Sequence, residues 1–271
     1  DDSVAFRRIL DNVANGSITD EDYRLLRTRR SAIVVCRYGI SNCHRCIETQ
    51  SFDTAVKLFA VNDKVDEANK EFLGSTGNPV AKIVGENSPE IGAADKKKGS
   101  GLKQILFLSI GCRVMLRRNI AVQCGLVNGS LGTLAEIRYA DGVIPPALPQ
   151  YVLVKFDRYE GPCLIRDLFP IVPVKSSWKQ GGVTHTRTQL PLSVAHAMTV
   201  HKAQGLTLPK AVVELEDNKR AVGLTYVQLS RVPKLSDLLI QGYFSKSRFD
   251  DISKIPGHRD LIRFLQKYWP H

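Results

Sequence analysis

Strand-like and helix-like runs alternate at both ends of this chain, and between them lies a long stretch where only short strands can be read. Val56 to Val61 is an apolar run with strand character. Asn62 then stands where it can cap a helix over Asp63 to Leu73, along which Val65, Ala68, Phe72 and Leu73 form an apolar stripe. The alternation returns late in the chain: Ala195 to Gln204 is helix-compatible and ends at Gly205, Val212 to Leu215 is strand-like, Gly223 to Arg231 helical, and Leu238 to Gln241 strand-like. Strands separated by helices return to the same end of a sheet, so the pattern predicts a mostly parallel α/β sheet flanked by helices. The intervening runs, Leu131 to Ile137, Tyr151 to Phe156, Ile171 to Val174 and Val183 to Gln189, are short and alternate in polarity. Asp141-Gly142, Pro145, Pro146, Pro149 and Gly181-Gly182 separate them, which is the spacing of a small antiparallel barrel. The expectation is therefore a barrel inserted into an α/β domain whose sheet draws strands from both sides of the insertion.

The remaining segments fit around that frame. Residues 1 to 30 read as two short helices, with a capped start between Ser17 and Glu21. Gly74 to Ser100 reads as a loop around a short strand at Val80 to Val84, and it ends in Lys96, Lys97 and Lys98. Ile105 to Leu108 and Cys112 to Leu116 are further strands with a turn at Gly111. The expected limits are a helical linker region over 1–54, the α/β domain over 55–126 and 191–271, and the barrel over 127–190.

Composition narrows the possible partners. Lysine and arginine exceed aspartate and glutamate by 38 to 27. The excess is clustered: no acid occurs from Leu168 to Val213, where Lys175, Lys179, Arg187, Lys202 and Lys210 stand, and from Gly99 to Gly125 the charges are Lys103, Arg113, Arg117 and Arg118. A polyanion rewards such stretches through counterion release, while a solvated basic face is the plainer account. Trp178 lies in the acid-free run between Lys175 and Lys179, where it can stack on a base or pack the barrel core. No apolar run approaches the ~20 residues of a membrane span, which points to a soluble intracellular protein. Six cysteines in 271 residues do not make a secreted disulfide framework. Cys36, Cys43, His44 and Cys46 include one pair with zinc-knuckle spacing, but His44 sits inside the short loop where it can hardly reach the same ion, so no metal site is expected.

Two stretches carry the chemistry. In Thr199-Val200-His201-Lys202-Ala203-Gln204-Gly205, Thr199 and Lys202 share one helical face, and Gln204-Gly205 form a turn where backbone can approach an anion. In Tyr226-Val227-Gln228-Leu229-Ser230-Arg231, Val222, Tyr226 and Leu229 can face the core, leaving Arg231 at the helix end. A permanently charged, planar guanidinium there can reach a neighbouring domain's phosphate site. The plainer readings are a satisfied polar helix end and a solvated arginine.

Leu190 to Thr207 followed by Gly223 to Arg231 resembles motifs V and VI of the Pif and RecD-type superfamily-one DNA helicases, ATP-driven motors that move five-prime to three-prime on single-stranded DNA. The resemblance runs in order along the chain. Phe6 to Arg30 resembles the segment after the third helicase motif, and Leu58 to Leu73, with Asn62 and Asn69, resembles motif IV. Gly111 to Leu116 and Leu126 to Gly132 resemble the lead-in to the barrel insertion, and Asp157 to Pro162 is also similar to the family. The resemblance implies a RecA-like domain with an inserted SH3-like barrel. It makes Arg231 the arginine finger and puts Gln204 and Gly205 near the nucleotide, while Arg113, with Arg117 and Arg118 beyond it, reads equally as a further phosphate contact or as a basic strand edge. It implies that Thr199, His201 and Lys202 contact the backbone of single-stranded DNA or couple it to the nucleotide, with Asn62 a further DNA contact that a helix cap explains equally well; Trp178 joins the DNA-binding candidates on its place in the basic run, with core packing as the competing account. It further implies ATP and Mg2+ as cofactors, the amino-terminal RecA-like domain of the same protein as a partner, roles in DNA repair, recombination and telomere maintenance, and a nuclear location. Two positions depart from the family pattern. Ala203 replaces a serine, and Gln228 replaces an alanine in what reads as surface variation. His196 reads as a packed helix residue.

The 271 residues contain no Gly-Lys-Ser/Thr phosphate loop and no strand-end Asp-Glu pair. The reading is therefore of a second motor domain that completes an ATP site without forming one, and that does not hydrolyse ATP unaided. A stand-alone nucleic-acid-binding module that has lost the motor chemistry is the competing reading, and an unrelated α/β enzyme is a third. No recurring acid, base and nucleophile set supports the third.

Overall fold

The computed structural model describes residues 2–30, 51–89, 101–163, 165, 167–180, 182–215 and 223–249. The cysteine–histidine cluster at 36–46, Lys96 to Lys98 and Val222 lie outside the described residues. The chain divides into two compact units, one of residues 1–65 and 198–271 and the other of residues 66–197.

The first unit is built on a four-stranded sheet. Its strands β1 (Val56–Phe59), β12 (Ala197–Thr199), β13 (Ala211–Glu214) and β14 (Leu238–Gln241) lie in the order β12-β1-β13-β14. Both β1 against β13 and β13 against β14 run parallel, and Arg30 extends the sheet through a parallel bridge to Ile240. Strands from both sides of the insertion therefore meet in one parallel sheet, as the alternation predicts. Its strands read as continuous apolar runs because parallel sheets are covered on both faces.

Helix α1 (Asp2–Asn15) buries Phe6, Ile9 and Val13 at helical spacing. Helix α2 (Asp20–Thr28) starts at a capping box in which Thr19 Oγ1 accepts from Asp22 N and the Asp22 carboxylate accepts from Thr19 N. Asp22 is fully buried and also accepts from Asn12 Nδ2 at 2.7 Å, with Arg8 at 3.1 Å. Burial opposes ionisation of this carboxyl, but the bonds from Asn12 and Thr19 and the Arg8 charge outweigh it, so its pKa lies below the usual aspartate value.

The second unit is antiparallel. Strands β5 (Arg113–Leu116), β6 (Leu131–Arg138), β7 (Tyr151–Phe156), β8 (Phe169–Ile171) and β11 (Leu192–Val194) form a sheet in the order β11-β5-β6-β7-β8. A second sheet, β3-β10-β9, comprises β3 (Glu86–Ser88), β9 (Val174–Gln180) and β10 (Val183–Gln189). A two-stranded ribbon pairs β2 (Val80–Val84) with β4 (Ile105–Ser109). Alternate residues of these strands, among them Ile83, Leu106, Leu108, Val114, Leu134, Val152 and Val154, fill one core. This unit reaches beyond 127–190 on both sides, because β2 to β5 and β11 pair antiparallel rather than joining the parallel sheet.

Helix α3 (Asn62–Ser75) begins in the first unit and ends in the second. The stretch from Ala195 to Gln204 departs from the expected helix. It forms β12 and then only a short helix, α4 (Val200–Ala203). The reason lies in Asn69 on α3, whose amide is buried and bonds both ways with Ala197: Nδ2 donates to the Ala197 carbonyl at 3.0 Å, and Oδ1 accepts from its N–H at 2.8 Å. Those backbone groups are thus taken by a side chain that imitates a strand edge, and tertiary pairing overrides a helix propensity that is only a weak prior.

Candidate functional site

The site assembles around the turn that follows β12. Thr199, the last residue of β12, is extended and precedes α4, so it does not share a helical face with Lys202. Its side chain is buried, whereas His201 and Lys202 on α4 are exposed. Gln204 and Gly205 end the short helix as exposed residues. Gly205 takes φ +83°, a left-handed conformation that L side chains rarely adopt, and it turns the chain sharply out of α4.

Helix α5 (Leu224–Leu229) brings the second stretch to the same place. Arg231 stands two residues beyond it, and its guanidinium folds back on the chain. Nε donates to the Val227 carbonyl at 2.8 Å, one terminal nitrogen donates to the carbonyls of Ala203 at 3.3 Å and Leu206 at 3.2 Å, and the other donates to Ser230 Oγ at 2.8 Å. Leu208 N in turn donates to the Arg231 carbonyl at 2.8 Å. The two sequence stretches therefore close on each other across the Gly205 turn. Every acceptor bonded to the Arg231 guanidinium is neutral, so no carboxylate among the described residues cancels its charge. Ala203 is fully buried and contributes its carbonyl, a contact independent of the hydroxyl that a serine would add.

Sequence reasoning missed the support beneath this turn. Gln228 is completely buried, not a surface variation: it lies on the inner face of α5, and its Nε2 donates to the Glu214 carbonyl at 3.1 Å at the end of β13. The Glu214 carboxylate accepts from Lys64 on α3 at 2.6 Å, so one residue ties the end of β13 to both helices. Asn62 is exposed at the start of α3, two residues before Lys64. Helical spacing alone did not reveal which face of the short α5 turned inward. Asn69 had a sequence signal, the polar position on an otherwise apolar stripe, but its partner Ala197 is 128 residues away.

The other expected residues lie in the second unit. Arg113 on β5 is an ion-pair partner, with both terminal nitrogens on the Asp157 carboxylate and one also on Thr133 Oγ1 at 3.1 Å. Trp178 on β9 is half-buried, stacked on His185 at 5.6 Å between ring centres and covered by the Arg187 guanidinium at 5.5 Å. Arg187, one of the cations of the acid-free run, is buried and donates to Asn87 Oδ1 and the Leu102 carbonyl, both at 2.9 Å. Burial pushes its pKa down. Lys175 and Lys179 point to the opposite, exposed face of the same strands, since side chains alternate along β9. His196 is buried and stacked on Phe72 at 3.9 Å, packed as expected but in the bend before β12 rather than in a helix. Among the described residues no group of three or more His, Cys, Asp or Glu side chains is placed to hold a metal ion, and no helix is long and apolar enough to cross a membrane.

Comparison with known proteins agrees with this architecture. Residues 101–137 match the family model described as DNA helicase Pif1, 2B domain. The chain is 34% identical over 214 residues to the ATP-dependent DNA helicase PIF6 of Trypanosoma brucei brucei, covering 79% of this chain and 25% of that protein. It is 32% identical over 187 residues to the ATP-dependent DNA helicase PIF1 of Homo sapiens, covering 69% of this chain and 27% of that protein. The crystal structure of the Pif1 helicase from Candida albicans superposes with a TM-score of 0.71 at 22% identity, over 97% of this chain and 58% of that one. The chain thus spans about a quarter of the length of these curated relatives. The parallel sheet with its antiparallel insertion defines a RecA-like α/β protein, the fold shared with that solved structure. Within that class the chain belongs with the Pif1-type DNA helicases, and its coverage of the solved structures is consistent with their C-terminal half.

Proposed function

We propose that this chain is the second motor domain of an ATP-dependent, five-prime to three-prime DNA helicase. In this reading it supplies an arginine finger and part of the single-stranded DNA path, and it does not hydrolyse ATP by itself. The observation that carries the reading is the meeting of the Gly205 turn with the Arg231 guanidinium, whose charge is held on carbonyls and a hydroxyl instead of a carboxylate. Carbonyl and hydroxyl bonds orient the group and leave its charge available to an anion, which is what stabilising charge during phosphoryl transfer demands. ATP with Mg2+ supplies the transferable phosphoryl group and would be held mainly by a preceding RecA-like domain, since the 271 residues contain no phosphate loop. Gln204 and Gly205 are exposed beside the finger and face the nucleotide, whereas Arg113, paired with Asp157, is not carried into this site. His201 and Lys202 are exposed one turn earlier and meet the DNA backbone. Thr199, buried, positions them, and Asn62 is the further expected DNA contact, whereas Trp178, covered by His185 and Arg187, packs within the second unit. In this reading the motor domain is the unit built on the parallel sheet of β1, β12, β13 and β14, the antiparallel unit of residues 66–197 is the barrel insertion, wider than the 127–190 expected, and the location is nuclear.

The test joins the chain to the amino-terminal RecA-like domain of a Pif1-type helicase and measures DNA-stimulated ATPase. Arg231→Ala is expected to lower turnover by about 10³-fold, the lower end of what a finger arginine contributes. Arg231→Lys should rescue little, because an ammonium lacks the planar fork. Unchanged turnover in Arg231→Ala would remove the finger assignment and favour a nucleic-acid-binding module.

A further inference from the structure

The β2–β4 ribbon of the second unit exposes a face that the motor site does not use. Its register pairs Lys82 directly with Phe107, Val84 with Ile105, and Val80 with Ser109. Alternation turns Ile83, Leu106 and Leu108 into the core, where each is at most 1% exposed, and so turns Phe107 and its neighbours outward. Phe107 is 47% exposed, Val80 43% and Ile105 39%. A slip of one residue would bury Phe107 but expose both leucines, so the exposure follows from the register. The ring cannot be withdrawn. One end of the face is closed, since Ser109 is buried with its hydroxyl 3.5 Å from Thr76 Oγ1. The open part is therefore Phe107, Ile105 and Val80 around Lys82.

The chemistry of this face selects its occupant. It carries one ammonium beside one exposed ring and no carboxylate, for Val80, Lys82, Val84, Ile105, Phe107 and Ser109 are all of its members. Lys82 makes no ion pair among the described residues, and the chain as a whole carries a net charge of +11. Directly paired residues on neighbouring strands have β-carbons ~5 Å apart, which suits a ligand with a flat apolar face and an anion one bond-chain away. A nucleotide of an unpaired strand has both. We propose that the Lys82–Phe107 face is a stacking platform for a base of single-stranded DNA, with Lys82 against the adjoining phosphate. The proposal rests on the DNA-binding reading above and adds a contact on the second unit, distinct from His201 and Lys202.

The test titrates labelled oligothymidylate with the full chain across a salt series, beside an abasic strand of equal length. Phe107→Ala is expected to weaken binding of oligothymidylate by about tenfold, the order that one stacked base contributes, and to leave binding of the abasic strand unchanged. Lys82→Gln should reduce the salt slope by about 0.7, the value for one phosphate contact on a single strand. Phe107→Trp should retain affinity and add a fluorescence signal that DNA quenches, which keeps the test decisive if the alanine variant fails to fold. A steep wild-type slope with Phe107→Ala within twofold, or with equal losses on both strands, overturns the platform and leaves the DNA-binding reading standing. A flat, weak wild-type response overturns both. Loss of self-association in Phe107→Ala with DNA affinity intact would show that a second copy of the chain covers the face instead, and also overturns the platform.

Discussion

Replacing Asn69 by alanine tests whether one side chain decides the path of the chain into the Gly205 turn. The Asn69 amide satisfies both backbone groups of Ala197, at 2.8 and 3.0 Å, in a buried setting where water cannot replace it. Asn69→Ala leaves a buried N–H and a buried carbonyl without partners. At about 1–3 kcal/mol each, the expected loss is about 2–6 kcal/mol, a large part of the ~5–15 kcal/mol that holds a domain together. Urea unfolding followed by far-ultraviolet circular dichroism measures it, with hydrogen exchange at the Ala197 amide as the local readout. Asn69→Asp sharpens the test, because a carboxylate keeps the acceptor but sets a second acceptor against the Ala197 carbonyl. Its deficit relative to wild type should shrink as the pH falls and the protonated carboxyl regains a donor. If Asn69→Ala unfolded within about 0.5 kcal/mol of wild type, with exchange at Ala197 unaltered, the clamp would not be what holds β12 out of a helix.

Three further outcomes follow from local geometry. Gly125→Ala should destabilise more than Gly205→Ala: both glycines have positive φ, but an added Cβ at Gly125 meets the Arg158 carbonyl at 2.7 Å whereas at Gly205 it meets nothing within 4 Å. The shared conformational term is about 1–2 kcal/mol, and comparative urea midpoints read the difference; equal midpoints would refute the clash. Because the Asp22 pKa is lowered on folding, its contribution to stability is present above the ordinary aspartate value and is lost as the pH falls through the folded one. Asp22→Asn should therefore flatten the decline of stability below about pH 4, and an unchanged acid profile would show that the carboxylate plays no part. Gln228→Ala should lower stability through loss of the bond to the Glu214 carbonyl and the cavity left in a fully buried site, by about 1–3 kcal/mol; a change within 0.5 kcal/mol, seen by the same unfolding assay, would mean the site relaxes around the smaller side chain.

Much of the architecture was legible because it is written in local periodicity. The alternation of Val56–Val61 with Asp63–Leu73, and of Val212–Leu215 with Gly223–Arg231, gave the parallel sheet, and the short runs after Leu131 gave the antiparallel insertion. Their side chains record which face of each element is apolar, a property of near neighbours. The turn at Gly205 was legible for the same reason, since a left-handed residue needs only its own backbone.

Partners were not legible. Ala195 to Thr199 suits a helix by composition and becomes a strand because Asn69, 128 residues earlier, takes the hydrogen bonds a helix would use. Arg113 looks like a free phosphate ligand until Asp157, 44 residues on, neutralises it. Arg187 counts toward a basic surface until the fold buries it beside Trp178 and Asn87, and Gln228 looks superficial until α5 turns it onto Glu214. Sequence alone determined the elements and the residues able to carry charge to a phosphate. Tertiary structure decided which of those charges stay free, because neutralisation and burial depend on groups brought together from distant parts of the chain.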